Sequence, residues 1–298
     1  MVQWSGMVWA CAVIGVVALN GCSSPPMPSS AATDAGSPAV MTPASPSVPA
    51  SIAPSAVSPS PGRIGLDDPA KKELAMELVS SAENSSLDWK AQYRYLEDID
   101  DGRGYTGGII GFCSGTGDML EVVEAYTAVA PSNPLARFLP ALRKVNGTDS
   151  HAGLGKAFEN AWEAAAGDPA FQAAQDDERD QVYFDPAVAQ GRSDGLSTLG
   201  QFLYYDAMVM HGPGDDPESF GGIRQAAVAQ AKPPSEGGDE TAYLNAFLAA
   251  RIVVMKAEEA HADTSRIDDA QRVFLAAGNF DLNPPLDWKV YGDDYHVG

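Results

Sequence analysis

Apolar positions follow three different patterns along the 298-residue chain. Residues 7 to 19, "MVWACAVIGVVAL", are continuously apolar. That run is shorter than the roughly 20 residues a helical span needs, and it predicts the core of an export signal. From Ser23 to about Pro61 the chain is Ser, Pro and Ala with almost no aromatic or charged side chains. Such a stretch cannot bury enough apolar area to offset its ordering entropy, and an extended, disordered linker is predicted. From Gly62 onward the apolar residues recur at helical spacing. In "LDDPAKKELAMELVSSAENSS", Leu74, Leu78 and Ala82 form one helix face with Ala75 and Val79 beside them. Asp68 is the expected N-cap, Pro69 the first helical residue and "NSS" the stop.

Periodicity then changes. "QYRYLEDI" and "YTGGIIGFCS" are short and rich in aromatic or β-branched residues, and "DDGRG" joins them. This predicts a small hairpin or strand pair. "TGDMLEVVEAYTAVA" predicts a helix with Asp118 as N-cap and Glu121 at capping-box spacing. Further helices are predicted at about 154–166, 169–182, 193–210, 239–261 and 268–277, separated by segments such as "NGTDSHAG" and "MHGPGDDP". The sum is a mainly α domain over 63–298 with one small sheet, preceded by a signal segment, 1–21, and a linker, 22–62.

Composition narrows what this domain binds. Acidic residues number 40 against 19 basic ones, a net charge of −21. Nucleic acid is excluded, since phosphate binding needs clustered Lys and Arg. A cationic partner is permitted, because a cleft lined by one sign concentrates the other. The four His have no ligand spacing, so neither a metal site nor a cofactor is expected. "GFCSGTGD" lacks the Lys and the context of a phosphate loop. Of Cys11, Cys22 and Cys113 only the last lies in the folded region, so no disulfide forms within the domain. "LNGC", Leu19 to Cys22, resembles a bacterial lipoprotein box, in which the Cys is lipidated and becomes the N-terminus. An exported, membrane-anchored, extracellular protein is the expectation, with an ordinary cleaved signal as the alternative.

Two carboxylates occupy element ends. Glu83 falls at the end of the first helix, where unsatisfied carbonyls disfavour a negative charge and so favour the protonated acid. Asp101 falls in the Gly-rich turn, where solvent and exposed N–H groups are expected to keep it ionised. Either both are surface acids at element boundaries, or they are an acid and a base across a cleft, as in a glycosidase.

The surrounding segments decide between these. "SSAENSSLDWKAQYRYLEDI", "DGRGYTGGIIGFCSGTGDM", "LPALRKVNGTDSH", "STLGQFLYYDAMVMHGPG", "GGDETAYLNAFL" and "AHADTSRIDDAQRVFLAAGNFDLNPPL" together resemble the chitosanases of glycoside hydrolase family forty-six, from about Leu66 to Tyr291. The resemblance implies a lysozyme-like, two-lobed helical fold. It also implies endo-acting hydrolysis of β-1,4 glucosamine linkages in chitosan, with inversion. Glu83 then matches the general acid, Asp101 the general base, and Thr106 the residue that helps hold the attacking water. Arg103 matches a group positioning Asp101 or the sugar, Asp118 the main amine-recognising acid, and Glu258 an acid on the opposite wall. Asp206, Arg251 and Arg266 match a buried charge network behind the acid, with a plain structural salt bridge as the alternative. Tyr95 and Tyr183 either pack on sugar faces or belong to the core, and His211 either bonds sugar hydroxyls or supports its loop. Ala262 stands where the family is expected often to carry another Asp, which removes one amine contact.

Two other classes share these features: a lysozyme-like peptidoglycan hydrolase, and a non-catalytic sugar-binding lipoprotein. The acidic balance opposes the first, because peptidoglycan is itself anionic. Intact Glu83, Asp101 and Thr106 oppose the second. A monomer is expected.

Overall fold

Asp68 caps the first helix as its position predicts: its carboxylate accepts from the N–H groups of Ala70 and Lys71 at 3.0 and 3.3 Å. Helix α1, Pro69–Asn84, therefore begins on a satisfied end, and it stops where Ser85 turns left-handed with φ 47°. The computed structural model describes residues 64–257 and 262–298. The signal segment, the Cys22 box and the linker lie outside the described residues, and so does Glu258.

After α1 comes a 3₁₀ stretch, Trp89–Arg94, and then an antiparallel sheet of β1 Leu96–Asp98, β2 Tyr105–Gly107 and β3 Phe112–Cys113. The strand signal in "QYRY" thus gives a helical turn. Asp88 caps it by accepting from the Ala91 N–H at 3.2 Å, and pairing starts only at Leu96. Helices α2 Asp118–Val129, α3 Leu139–Val145, α4 Gly155–Ala165 and α5 Pro169–Arg179 follow. A π turn, Asp180–Phe184, leads into α6 Asp185–Ser193, α7 Thr198–His211, α8 Phe220–Val228 and α9 Glu240–Ala257. A second π stretch, Arg266–Gln271, runs into α10 Arg272–Ala276. The chain closes in an antiparallel hairpin, β4 Leu286–Val290 and β5 Asp293–Val297.

The elements pack as two groups. One joins α2 with α3 and α5, and sets α4 against β1. Its core is a run of rings in which Phe158 and Phe138 meet edge-on at 5.3 Å and Trp162 and Phe171 at 4.9 Å. The other group packs α7 between α6 and α8, α8 on α9, and β4 on the second π stretch. All residues of α7 are buried, so "TLGQFLYYDAMVMH" is apolar on every side because it has no solvent face. Asp206 sits in the middle of that helix, 1% exposed, and a carboxylate there needs partners. α1 also packs on α7, which brings the end carrying Glu83 toward Asp206.

Two sequence expectations are corrected. The helix predicted at 193–210 starts only at Thr198, because Asp194 is drawn away to pair with Arg224 and Gly195 takes φ 76°. The single small sheet is joined by a second, the C-terminal hairpin.

Candidate active site

Glu83 lies in the last turn of α1 and is 4% exposed. Its Oε1 accepts from Arg266 Nη1 at 2.5 Å. The same guanidinium reaches Asp206 through Nε at 2.9 Å and Nη2 at 2.8 Å. Arg251, fully buried on α9, donates to Asp206 Oδ2 at 2.9 Å. Gln271 completes the cluster: its Oε1 accepts from Arg251 at 3.0 Å and its Nε2 donates to Asp206 at 2.6 Å. Two carboxylates therefore face two guanidiniums inside the protein, where an unpaired charge is costly. Burial pushes Asp206 up, but Arg266 and Arg251 outweigh it and hold the carboxyl below its ordinary value. Burial also pulls Arg266 down, and Asp206 and Glu83 reverse that shift and raise it. The network matched from sequence is thus a contact network reaching Glu83 itself.

His211, at the end of α7, is 7% exposed, and Arg251 Nε donates to its Nε2 at 3.4 Å. That places the ring beside the network, behind the acid. Gln271 was missed by sequence reasoning because a buried amide has no spacing signature.

Asp101 occupies the loop between Asp98 and Tyr105, which pair across β1 and β2. Its Oδ1 accepts from the Arg103 N–H at 3.0 Å, and its Oδ2 takes Arg103 Nε at 3.0 Å and also Nη2. Gly104, at φ 73°, permits the turn: a Cβ there would meet Ser114 Oγ at 2.5 Å. The N–H donor expected at this turn is that of Arg103. The Asp101 side chain keeps only 20% exposure, and burial, with Asp98 adding, pushes its carboxyl above 3.8 against the Arg103 N–H. A raised carboxyl suits a base, since a stronger base accepts a proton more readily.

Thr106 is central in β2, paired with Glu97 and Cys113, and fully buried. Its Oγ1 lies 3.5 Å from Cys113 Sγ. Tyr95 is half-buried, and its hydroxyl donates to Glu97 at 3.3 Å. Burial pushes that hydroxyl up, with Glu97 and Asp101 adding.

Arg103, Cys113, Asp118 and Tyr183 share a groove of about 220 Å³ with Val209 and Gly212 from the end of α7. The N-cap expectation for Asp118 is corrected: Gly117, at φ 103°, takes that place, and Asp118 is the first helical residue. Its Oδ1 instead accepts from the Cys113 N–H at 2.9 Å, the Thr116 hydroxyl at 2.6 Å and the Met119 N–H at 3.0 Å. None of these three bonds falls on Oδ2, and Asp118 lines the groove. Burial pushes the carboxyl up against these three donors. Glu121 and Glu178 line the same groove, and burial and the bond to Glu121 push Glu178 up to about 7. Neither was picked out as a groove residue, because a helix on another segment supplies Glu178. Among the described residues no group of three or more His, Cys, Asp or Glu is placed to hold a metal ion.

The glycosyl hydrolase family 46 model matches residues 77–286. A chitosanase from Streptomyces sp. (strain N174) is 70% identical over 233 residues, covering 78% of this chain and 84% of that protein. A chitosanase from Nocardioides sp. (strain N106) is 68% identical over 234 residues, covering 78% and 84%. Among solved structures, a complex of a Gynuella sunshinyii family 46 chitosanase with chitotetraose superposes with TM-score 0.71 at 34% identity, covering 76% of this chain and 97% of that one. A chitosanase co-crystallised with substrate superposes with TM-score 0.78 at 66% identity, covering 80% and 100%. By motif, fold and sequence identity, the chain belongs to glycosyl hydrolase family 46.

Proposed function

We propose that this protein hydrolyses β-1,4 glucosamine linkages within chitosan by a single inverting displacement. Glu83 is the general acid, Asp101 the general base, and Thr106 helps hold the water. The observation that carries this reading is the buried Glu83 tied to Arg266, in a chain 70% identical to a chitosanase. Protonated Glu83 gives its proton to the glycosidic oxygen as the C–O bond breaks. A water attacks the anomeric carbon from the opposite face and passes its proton to Asp101. The proton transfer leaves Glu83 ionised, and the Arg266 guanidinium 2.5 Å away stabilises the charge as it forms. Asp206 shares that guanidinium, so Arg266 does not hold Glu83 ionised on its own before the reaction. Inverting carboxyls stand roughly 6.5–9.5 Å apart to admit the water. The direct test is the anomer first released from chitosan, followed by NMR. An initial α-anomer is expected; an initial β-anomer would make the enzyme retaining and sink the mechanism.

Amine recognition is assigned to Asp118, whose Oδ1 is locked by three donors while the groove bears Glu121 and Glu178 nearby. Losing this charge should raise KM for chitosan about tenfold at low salt. In the wild type, added salt should raise KM more than it lowers kcat, because surface attraction is screened over roughly 8–10 Å. Asp118→Asn should flatten that salt dependence. Equal cleavage of chitosan, chitin and peptidoglycan at pH 5.5, unchanged in this variant, would reject amine recognition and favour the lysozyme-like alternative.

Anchoring at Cys22 is proposed on "LNGC" and the Ser/Pro segment after it, which would hold the domain clear of an extracellular membrane face. Cys22→Ala should move the protein from membranes to the soluble fraction. Wild-type protein already free, with an N-terminus elsewhere, would remove the anchor.

A further inference from the structure

Strand pairing of Val290 with Asp293 leaves a two-residue turn, Tyr291 and Gly292, at the tip of the C-terminal hairpin. Both residues have positive φ, 53° and 89°. A turn of this hand favours Asn, Asp or Gly at its first position, because a larger side chain crowds its own backbone there. Tyr291 breaks that rule, and it does so as an exposed residue, 44% accessible, outside the core. Strained residues persist where function requires them.

The position of the tip says what that requirement is. The Tyr291 N–H donates to Ser265 Oγ at 2.9 Å, and Ser265 is held in turn by Asp263 through its N–H at 2.8 Å and its hydroxyl at 2.5 Å. Ser265 directly precedes Arg266, the residue bound to Glu83. Strand β4 is also fastened to the acid helix, since Trp288 Nε1 donates to Ser81 Oγ at 3.0 Å. Burial at its hydroxyl end pushes the Tyr291 phenol up, Arg266 opposing and Glu83 and Asp263 adding. The backbone bond to Ser265 thus fixes the tip beside the segment that carries Arg266, with Tyr291 itself exposed.

We propose that Tyr291 is a substrate-contacting residue of the cleft, an aromatic face beside Glu83 on which one sugar ring of a glucosamine polymer stacks. An aromatic ring offers a flat apolar surface with a polar tip, which matches the C–H face and hydroxyl rim of a pyranose. The proposal rests on Glu83 as the acid and adds a wall to that site.

Tyr291→Asn separates backbone strain from ligand contact. It places a favoured residue in the turn, so the melting temperature should equal or exceed that of the wild type, while KM for chitosan rises about five- to tenfold. Tyr291→Phe, which keeps the ring, should raise KM no more than about threefold. Calorimetric titration with glucosamine hexamer in a Glu83→Gln background should show Tyr291→Asn weakening binding by the same factor as the KM change. Unchanged hexamer affinity and KM would overturn the proposal, and so would a loss that tracks a lower melting temperature. These outcomes differ from failure of the acid assignment, which shows as full turnover by Glu83→Gln alone.

Discussion

Glu83→Gln is expected to lose about 10²- to 10⁴-fold in turnover of chitosan, the usual worth of a positioned general acid. The amide has the shape of the carboxyl group but no proton of the needed acidity. The fold should tolerate the change. Arg266 keeps Asp206 at 2.8 Å, so its buried guanidinium is not stranded when the Glu83 carboxyl is replaced. The amide oxygen can still accept from Arg266 Nη1. Melting temperature should fall by only a few degrees, and affinity for glucosamine hexamer should stay within about threefold, since an acid that acts on the leaving group contributes mainly in the transition state. Near-wild-type turnover would remove Glu83 from the acid role. A loss of binding equal to the loss of rate would instead make Glu83 a binding group.

What could be read from the chain alone divides by the range of the contact. Asp68 and Pro69 announce α1 because capping is settled within a turn of helix. The hairpin carrying Asp101 is announced by aromatic runs and glycines, again local signals. Where an interaction spans the chain, local pattern is silent. Glu83 and Arg266 are 183 residues apart, and Asp206 and Arg266 are 60 apart. A lone Asp in an apolar helix signals a partner but does not name it. Here the family resemblance, not periodicity, pointed to both arginines. α3, α6 and α8 are not legible because they are short and carry or adjoin Gly, Pro and Asn, whose turn signals mask them. The N-cap reading of Asp118 failed for a tertiary reason: the strand end at Cys113 offers it a better donor. The Gly-rich loop signals an exposed turn at Asp101 but not the partner that its carboxylate takes, Arg103. In this fold the loop turns back on the 113–116 segment, with Gly115 N–H donating to Arg103 O at 2.9 Å.

Asp206→Asn should be the most destabilising single change in the site. With Glu83 protonated for its role as acid, Asp206 is the carboxylate charge that faces both Arg251 and Arg266. Removing it leaves both guanidiniums short of a partner charge, with Arg251 fully buried beside a neutral amide. Breaking a buried pair in this way costs about 3–5 kcal/mol. For a domain of this size that lowers the melting temperature by on the order of 10 °C. The pH dependence has a definite sign. Because the arginines hold Asp206 below its ordinary 3.8, its contribution is fully present above that value and is lost as pH falls through the lowered folded-state value. The gap in melting temperature between wild type and variant should therefore be constant from roughly pH 5 to 8 and narrow in stronger acid. Activity should fall further than stability explains, since Arg266, released from Asp206, is left to Glu83 and favours its ionised form. Charge balance is tested by adding Arg251→Met, which returns the cluster to one carboxylate and one guanidinium. If balance is what holds the cluster, the double variant should be more stable than the sum of the two single losses predicts, by about 1 kcal/mol or more. Strictly additive losses would mean that the residues matter through packing, and the charge network would then have no part in holding Glu83.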